Sequence, residues 1–326
     1  MPGPAMPRAL SYLVAIALLA ALPFFLASYQ ADVYRKMLLW VTLALGYSFL
    51  FGIAGQVAFS HFAFYGIGAY GVVILWYKLG IPLPFAIVGA IAICAALSFV
   101  VAVAGTRLEG FYLALATLAF AQLLIVVLTE GGEFTGAAAG IQRYALPPVM
   151  GFRVAGPYYT IVIVLLLVGT YAILARLERS WFGRACRAVR DNSEAAAAMG
   201  VDVARIKVTA FTLTSTLAGA AGVVYAFVDN GVAPTSFDID KVFTLLFMII
   251  IGGSGRLAGA VVGAVLLYLV PFVLEPYIGH HHPLVYGLIM LGAILFQREG
   301  LIGVFDGARA RLRRSFSGAQ AARQSA

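Results

Sequence analysis

Long charge-free stretches dominate the pattern of hydrophobic and polar positions along the chain. Seven of them reach or exceed the roughly 20 residues that cross a bilayer as a helix. They cover residues 9–31, 37–77, 79–106, 110–129, 154–175, 208–228 and 276–297. These runs are apolar on every face, whereas the strands of a membrane barrel are short and alternate with a period of two. The pattern therefore predicts an all-α, polytopic integral membrane protein.

The run at 37–77 is about twice as long as one span and is interrupted by Gly52, Gly55, Gln56, Ser60 and His61. We therefore divide it into two short, Gly-broken helices. The first run is too long for a signal-peptide core and lacks an A-x-A-like cleavage site, so it is retained as a span. Ten spans are predicted, at about 9–30, 37–52, 60–77, 83–104, 110–129, 157–176, 207–228, 240–253, 257–275 and 283–297.

Composition agrees with this interpretation and excludes several kinds of site. Hydrophobic residues make up 62% of the chain and charged residues 11%, against about 25% charged in ordinary soluble domains. Cys94 falls in a predicted span and Cys186 in a basic loop, so no disulfide or cysteine metal site is implied. The three adjacent histidines at 280–282 cannot converge on one ion with regular geometry, so we expect no metal site.

The distribution of basic residues predicts the orientation, because cationic loops stay in the cytoplasm. An even number of spans places both termini on one side, and termini inside would put 16 of the 22 Lys and Arg residues in the cytoplasm. The predicted outer basic residues are Arg35, Lys36, Lys78, Arg143, Arg153 and Lys241. We predict a multi-pass protein of a bacterial cytoplasmic (inner) membrane with both termini cytoplasmic.

The net charge of +8 follows from this bias and from attraction of a basic tail to anionic membrane lipid. A nucleic-acid partner is not required. The predicted organisation is a transmembrane domain at 1–308, which contains a cytoplasmic loop at 178–206, and a basic cytoplasmic tail at 309–326.

The cytoplasmic loop carries the most informative polar pattern. Residues 191–199 are mostly good helix formers, Asn192 or Ser193 can cap the start of a helix, and Gly200 is placed to end it. One interpretation is a surface helix that lies along the lipid headgroups. The other is a helix that contacts a partner protein.

Specific motifs favour the second interpretation. Glu194-Ala195-Ala196, followed after three residues by Gly200, resembles the EAA---G signature of ABC-importer permeases, without its trailing I-x-L-P. The Gly-rich segments at 46–71 and 250–265 resemble the corresponding segments of the LivM branched-chain amino-acid permease family. The resemblance extends from about residue 38 to 296.

The resemblance implies a coupling helix that docks into a groove on an ATPase subunit. The residues assigned to this ATPase-coupling loop are Arg184, Arg187, Arg190, Asp191, Glu194, Ala195, Ala196 and Gly200. Arginine forks at these positions would suit carboxylates of the partner. No Walker A loop occurs, because none of the four lysines follows a glycine. We therefore expect no cofactor on this chain, with ATP and Mg bound by the partner ATPases.

The same resemblance implies an assembly with a second, LivH-type permease, two cytoplasmic ABC ATPases and an extracytoplasmic solute-binding protein. Broken helices in both halves are what a transporter needs along its pathway. The residues predicted for the translocation pathway are Gln56, Ser60, His61, Tyr65, Gly252, Gly253 and Ser254. For the second segment, close helix packing by its G-x-x-x-G-x-x-x-G face at 255–263 is the alternative.

The resemblance favours branched-chain or related amino acids as substrates, although no residue stands out as a fixed counter-charge for an amino or carboxylate group. A secondary transporter driven by an ion gradient is the alternative, but it would normally need charges inside its spans. Only Glu275, near a span end, meets that need. No catalytic constellation is recognisable, so an enzyme is not predicted.

Overall fold

The computed structural model describes residues 18–108, 110–142, 144, 156–278, 287–288 and 291–292. Within these residues the longer elements are helices. They are α1 (Ser28–Ser48), α2 (His61–Val73), α3 (Leu83–Gly105), α4 (Phe111–Glu130), α5 (Gly132–Thr135), α6 (Gly156–Arg179), α7 (Trp181–Asp191), α8 (Ser193–Ala198), α9 (Val203–Asp229), α10 (Ile239–Gly252) and α11 (Leu257–Ile278). Two-residue strands β1 (Ile141–Gln142) and β2 (Gly231–Val232) pair antiparallel. The all-α prediction is confirmed.

Five described helices are long and apolar enough to cross a membrane. They are Ser28–Ile53, Leu83–Gly105, Phe111–Glu130, Tyr158–Arg179 and Val203–Asp229. A shorter apolar helix covers Leu257–Val273. These lengths match the roughly 20 residues that a bilayer requires, so the prediction of a polytopic membrane protein is confirmed.

The predicted division of the 37–77 run is also confirmed. Helix α1 continues as one π-helical turn, Phe49–Ile53, and α2 begins at His61. Gly55 adopts φ +70° between them, a conformation that glycine enters without the steric penalty of a side chain. The sequence Gly52–His61 therefore breaks the apolar run into two helices, as its composition indicates.

The first predicted boundary is wrong. Residues 18–21 are helical, but Leu22–Phe24 form a 3₁₀ turn and α1 starts afresh at Ser28. Arg35 and Lys36 therefore lie inside α1 and not in an outer loop. Both cations have acidic partners, Asp32 for Arg35 at 2.5 Å and Asp229 for Lys36, and pairing lowers the cost of a charge in an apolar helix.

Helix α9 packs against α1, α2 and α3 at the centre of the described fold. The α2–α9 contact is close, since a Cβ added to Gly68 would lie 2.0 Å from the Gly219 carbonyl oxygen. Helices α10 and α11 cross equally closely, and a Cβ on Gly263 would lie 1.9 Å from the Met248 carbonyl oxygen. Small residues let helix backbones meet in this way, which supports the packing interpretation of the 255–263 face.

The far end of α9 is tied to the loops beyond it. The Tyr144 hydroxyl donates to the Ala226 carbonyl, and Tyr70 donates to the Val232 carbonyl at 3.3 Å. Burial raises the pKa of Tyr144, with Tyr225 and Asp229 adding to the effect, so this phenol remains a neutral donor. The predicted tenth span, apart from residues 287–288 and 291–292, lies outside the described residues, as do the three histidines and the basic tail.

Candidate functional site

The segment between α6 and α9 folds into two short helices. Ser180 starts α7, and its Oγ accepts a hydrogen bond of 3.1 Å from the Phe182 amide. Asn192 separates α7 from α8. The sequence predicted a helix within 191–199, and α8 covers Ser193–Ala198 of that range, whereas Asp191 is the last residue of α7. Helix α7 itself was missed.

Capping residues set the limits of α8. The Asn192 side chain accepts from the Ala195 amide at 2.9 Å, which satisfies one of the free donors at a helix start. Gly200 has φ +85° and follows the helix, as expected of a C-terminal glycine. The predicted cap at Asn192 and the stop at Gly200 are confirmed.

One face of α7 is packed against the rest of the protein. Gly183, Ala185, Cys186 and Val189 are buried, at spacings that place them on one side of a helix. Cys186 therefore lies on the buried face of a helix and not in an open loop. Burial raises the pKa of the Cys186 thiol to about 12, although the nearby Arg187 charge opposes the shift. The thiol is neutral at physiological pH.

The opposite surface of this segment is open. Glu194 and Ala195 are exposed, while Ala196 is buried. Met199 is 86% exposed and Trp181 63% exposed. Two large apolar side chains thus stand out from an otherwise polar surface, an arrangement suited to contact with another protein.

Arg190 connects this segment to the break in the first long helix. Its Nη1 donates to the Gly52 carbonyl oxygen at 2.6 Å, and its Nε and Nη2 donate to Asp191 Oδ1 at 3.0 and 2.8 Å. The stem lies against Gly55, because a Cβ there would come 2.3 Å from Arg190 Cγ. The planar fork thus bonds to the Asp191 carboxylate with two donors and to the Gly52 carbonyl with a third, a fixed geometry that a lysine ammonium does not provide.

The other two arginines also bond within the chain. Arg187 donates to the Glu178 carbonyl at 2.9 Å and lies 3.9 Å from its carboxylate. Arg184 donates to the Arg179 carbonyl at 3.3 Å and is exposed. The sequence suggested that all three would bind carboxylates of a partner, whereas each guanidinium donates to a group of this chain.

The two Gly-broken segments meet at the position of Arg190. A Cβ on Gly52 would lie 2.1 Å from the Gly255 amide nitrogen, so the two backbones are in direct contact. Gly252 is buried against Gly259, Gly253 has φ +110°, and Ser254 is exposed. The structure therefore brings α7 and α8, which form the predicted coupling segment, together with both broken segments, which the sequence could treat only separately.

Gln56 and Asp191 line one cavity beside this junction. The Gln56 Nε2 donates to the Lys207 carbonyl at 3.1 Å near the start of α9. The cavity has a volume of about 390 Å³, and its polar lining also includes Asn192 and Glu194. Predicted pathway and coupling residues thus share this cavity.

Ser60 and His61 lie in the interior of the protein and do not line that cavity. Both are 1% exposed, and the His61 ring lies 5.4 Å from the Tyr47 ring. Within the part of the chain that the structure describes, Ser60 Oγ and both His61 ring nitrogens have no hydrogen-bond partner. Burial of polar groups without partners is costly, which marks this position for a functional explanation.

Tyr65 lines a second cavity, at the other end of α9. This cavity has a volume of about 400 Å³ and also contains Lys36, Asp229 and Lys241. The sequence showed no residue that stands out as a counter-charge, whereas the fold brings these three charged side chains to one cavity. Sequence reasoning missed the cluster because its charges come from α1, α9 and α10, far apart in the chain.

Comparisons with known proteins agree with these features. Residues 29–297 match the family described as branched-chain amino acid transport system / permease component. The chain is similar to the high-affinity branched-chain amino acid transport system permease protein LivM of Escherichia coli K12, with 29% identity over 318 residues, 89% of this chain and 74% of that protein.

Two further relatives show the breadth of the similarity. A probable branched-chain amino acid transport permease protein LivH of Methanocaldococcus jannaschii is 27% identical over 297 residues, 84% of this chain and 91% of that protein. The autoinducer 2 import system permease protein LsrC of Salmonella paratyphi B is 27% identical over 204 residues, 60% of this chain and 56% of that protein. No solved structure matches the chain.

Proposed function

Because the chain belongs to the family of branched-chain amino acid transport system permease components, we propose that it is one of two membrane-spanning subunits of an ABC importer for branched-chain or related amino acids. ATP hydrolysis on partner subunits drives import across a bacterial cytoplasmic membrane. The observation that carries this proposal is the hydrogen bond from Arg190 to the Gly52 carbonyl, which links the coupling segment to the broken helices.

The coupling segment is the docking element for a cytoplasmic ATPase. Glu194, Ala195 and Met199 form its exposed surface. Helices with small side chains enter grooves closely, and Trp181 supplies an aromatic anchor at the edge. The sixth and seventh of the ten predicted spans would then meet the cytoplasm at this segment, and with an even span count both termini would lie inside.

Movement of the docked segment reaches the pathway through Arg190. Its stem fills the space beside Gly55, and its guanidinium holds the Gly52 carbonyl. Gly52 in turn touches Gly255. Because packed junctions shift between discrete arrangements and do not deform continuously, a displacement of α7 changes the contact between the two broken segments.

The other components of the importer are separate protein chains. A second, LivH-type permease forms the other half of the pathway, two ABC ATPases bind ATP and Mg, and an extracytoplasmic binding protein delivers the solute. Gln56, Ser60, His61 and Tyr65 follow one another from the coupling segment towards the far end of α9, as groups along a pathway would. The nitrogens of His61, which have no hydrogen-bond partner among the described residues, support a position that a passing solute or water reaches.

Purification of the chain from its native membrane in mild detergent tests this function. We expect a second permease and two Walker A ATPases to co-elute, with ATPase activity that a loaded binding protein stimulates. The Arg190→Ala variant should retain the ATPases but lose stimulation. A chain that elutes alone and catalyses uptake driven by an ion gradient would contradict the proposal and establish a secondary transporter.

A further inference from the structure

The cavity beside Tyr65 lies far from the coupling segment. Helix α9 begins next to that segment and has 27 residues, which corresponds to a length of about 40 Å at 1.5 Å per residue. The cavity lies at its last turn, between α1, α2, α9, α10 and α11. Its volume of about 400 Å³ lies within the range of about 300–1,000 Å³ found for small-molecule sites.

Three charged side chains line this cavity. Lys36 forms an ion pair with Asp229, and the Tyr225 hydroxyl donates to the second oxygen of that carboxylate at 2.7 Å. Lys241 also lines the cavity, and it forms no ion pair with any residue that the structure describes. A carboxylate has about four lone-pair sites and an ammonium three donors, so all three groups can bond a ligand.

Aromatic rings form the remaining walls. The Trp40 ring lies 4.9 Å from Phe62 and 6.2 Å from Tyr268, which makes a continuous apolar surface next to the charges. Tyr65 and Tyr225 lie 5.2 Å apart behind Asp229. Rings of this kind attract both aliphatic groups and organic cations.

We propose that this cavity is an outer binding site for a free α-amino acid with an apolar side chain. The proposal rests on the importer function given above and names the chemistry that its substrate must have. Asp229 and the face of Tyr65 bind the ammonium group, Lys241 binds the carboxylate, and the Trp40 side of the cavity packs against the aliphatic side chain. The site accepts the solute after the binding protein releases it.

The lining carries both signs of charge, and this arrangement suits a zwitterion. Two ammonium groups and one carboxylate leave an excess positive charge, which disfavours an amine that lacks a carboxylate. A carboxylate without an amino group would bond to Lys241 but would leave the remaining lone-pair sites of Asp229 without a donor from the ligand. A neutral polyol would satisfy neither charge and would not use the aromatic wall.

Transport by the reconstituted importer, with its partner subunits and binding protein in proteoliposomes, tests the site. Lys241→Gln should raise the substrate concentration for half-maximal uptake of leucine about fivefold to tenfold, because a hydrogen bond to a charged group is lost. Lys78→Gln is the matched control, since this lysine lies outside the cavity and donates to the Glu133 carbonyl. Its uptake should equal that of the wild type.

Exchange of the charges of Lys36 and Asp229 distinguishes ligand binding by Asp229 from a purely structural ion pair. Asp229→Asn alone should weaken uptake, and the double variant Lys36→Asp with Asp229→Lys restores the ion pair with reversed polarity. If the pair is only structural, the double variant should transport as the wild type does, and the site proposal would be overturned. If the site binds a zwitterion, uptake should remain at least about fivefold reduced.

Trp40 offers a direct readout of binding. Leucine should change the fluorescence of the purified complex and Trp40→Phe should remove that change, whereas 4-methylpentanoate and isopentylamine should have little effect. Unchanged uptake in Lys241→Gln and Asp229→Asn, with active wild type, would refute the site alone. Absence of ATP-driven amino-acid uptake by the wild type would instead refute the importer function.

Discussion

Arg190 Nη1 lies 2.6 Å from the carbonyl oxygen of Gly52, although the two residues are far apart in the sequence. This hydrogen bond fixes the end of α7 to the end of the π-helical turn that follows α1. The same guanidinium is oriented by Asp191 on its other edge. A charged donor on a backbone carbonyl is among the stronger single contacts available to a protein.

Replacement of Arg190 should uncouple ATP hydrolysis by the partner subunits from solute uptake. Arg190→Ala removes the bond to Gly52 and should lower the free energy of unfolding by about 1–2 kcal/mol, since the side chain is partly exposed. We expect ATP hydrolysis to continue without solute uptake, measured as the ratio of the two rates. Arg107→Ala is the control, because Arg107 is exposed and lies outside α7 and α8. Equal ratios in both variants would contradict the role of Arg190.

The contact between the two broken segments makes Gly52 intolerant of a side chain. A Cβ there would lie 2.1 Å from the Gly255 nitrogen, so Gly52→Ala must separate the backbones, and we expect a loss of 1–3 kcal/mol or more, of the order given for overpacking. Gly169→Ala in α6 is the matched control, because nothing lies within 4 Å of its Cβ position. It should gain about 0.5–1 kcal/mol. Thermal unfolding in detergent measures both changes, and a neutral Gly52→Ala would exclude the close contact.

The cap of α8 should control docking of the ATPase. Asn192→Ala removes the bond to the Ala195 amide and should cost about 1 kcal/mol of helix stability. A six-residue helix has little else to hold it, so we expect fraying and weaker co-purification of the ATPase. Asn192→Asp, which keeps the acceptor oxygen, should restore docking. Loss of docking in both variants would point to a direct contact by the amide nitrogen.

Replacement of His61 tests whether this residue serves the packing of the fold or the transport of the solute. Its ring is buried and has no hydrogen-bond partner among the described residues, so His61→Leu should leave stability unchanged or raise it by about 1 kcal/mol. If His61 faces the pathway during transport, uptake should fall while assembly persists. The measurement pairs the unfolding temperature with the rate of uptake in proteoliposomes. Normal uptake in a stable variant would return His61 to a packing role.

Cys186 reports on the packing of α7. Its pKa is raised to about 12, so in the folded protein the reactive thiolate is scarce at pH 8, whereas an unfolded thiol begins to ionise near its ordinary pKa of about 8.5. Maleimide should label the folded chain slowly and the unfolded chain quickly. The contribution of this group to stability should be intact below pH 8 and should be lost progressively above about pH 9, because the unfolded state then binds fewer protons. Rapid labelling of the folded chain would show that α7 is not packed.

The sequence predicted the membrane class, the break between Gly52 and His61 and the Asn192 cap, because each depends on local composition or local hydrogen bonds. It did not predict α7, whose buried face consists of small residues among arginines. Arg35 and Lys36 were predicted in an outer loop but lie in α1. The ion pair that lets Lys36 lie there is formed with Asp229, on the distant α9, and hydrophobicity along the chain does not indicate it. The Arg190–Gly52 bond and the charged cavity depend on contacts between distant elements, which hydrophobic periodicity does not encode.

ATP-driven uptake by the reconstituted complex tests the central claim most directly. Proteoliposomes that contain this chain, its partner permease and the ATPases, with the binding protein on the outer side, should accumulate leucine when ATP is enclosed and no ion gradient is present. Arg190→Ala should abolish accumulation while ATP hydrolysis persists. Accumulation that needs an ion gradient and proceeds without ATP would contradict the account.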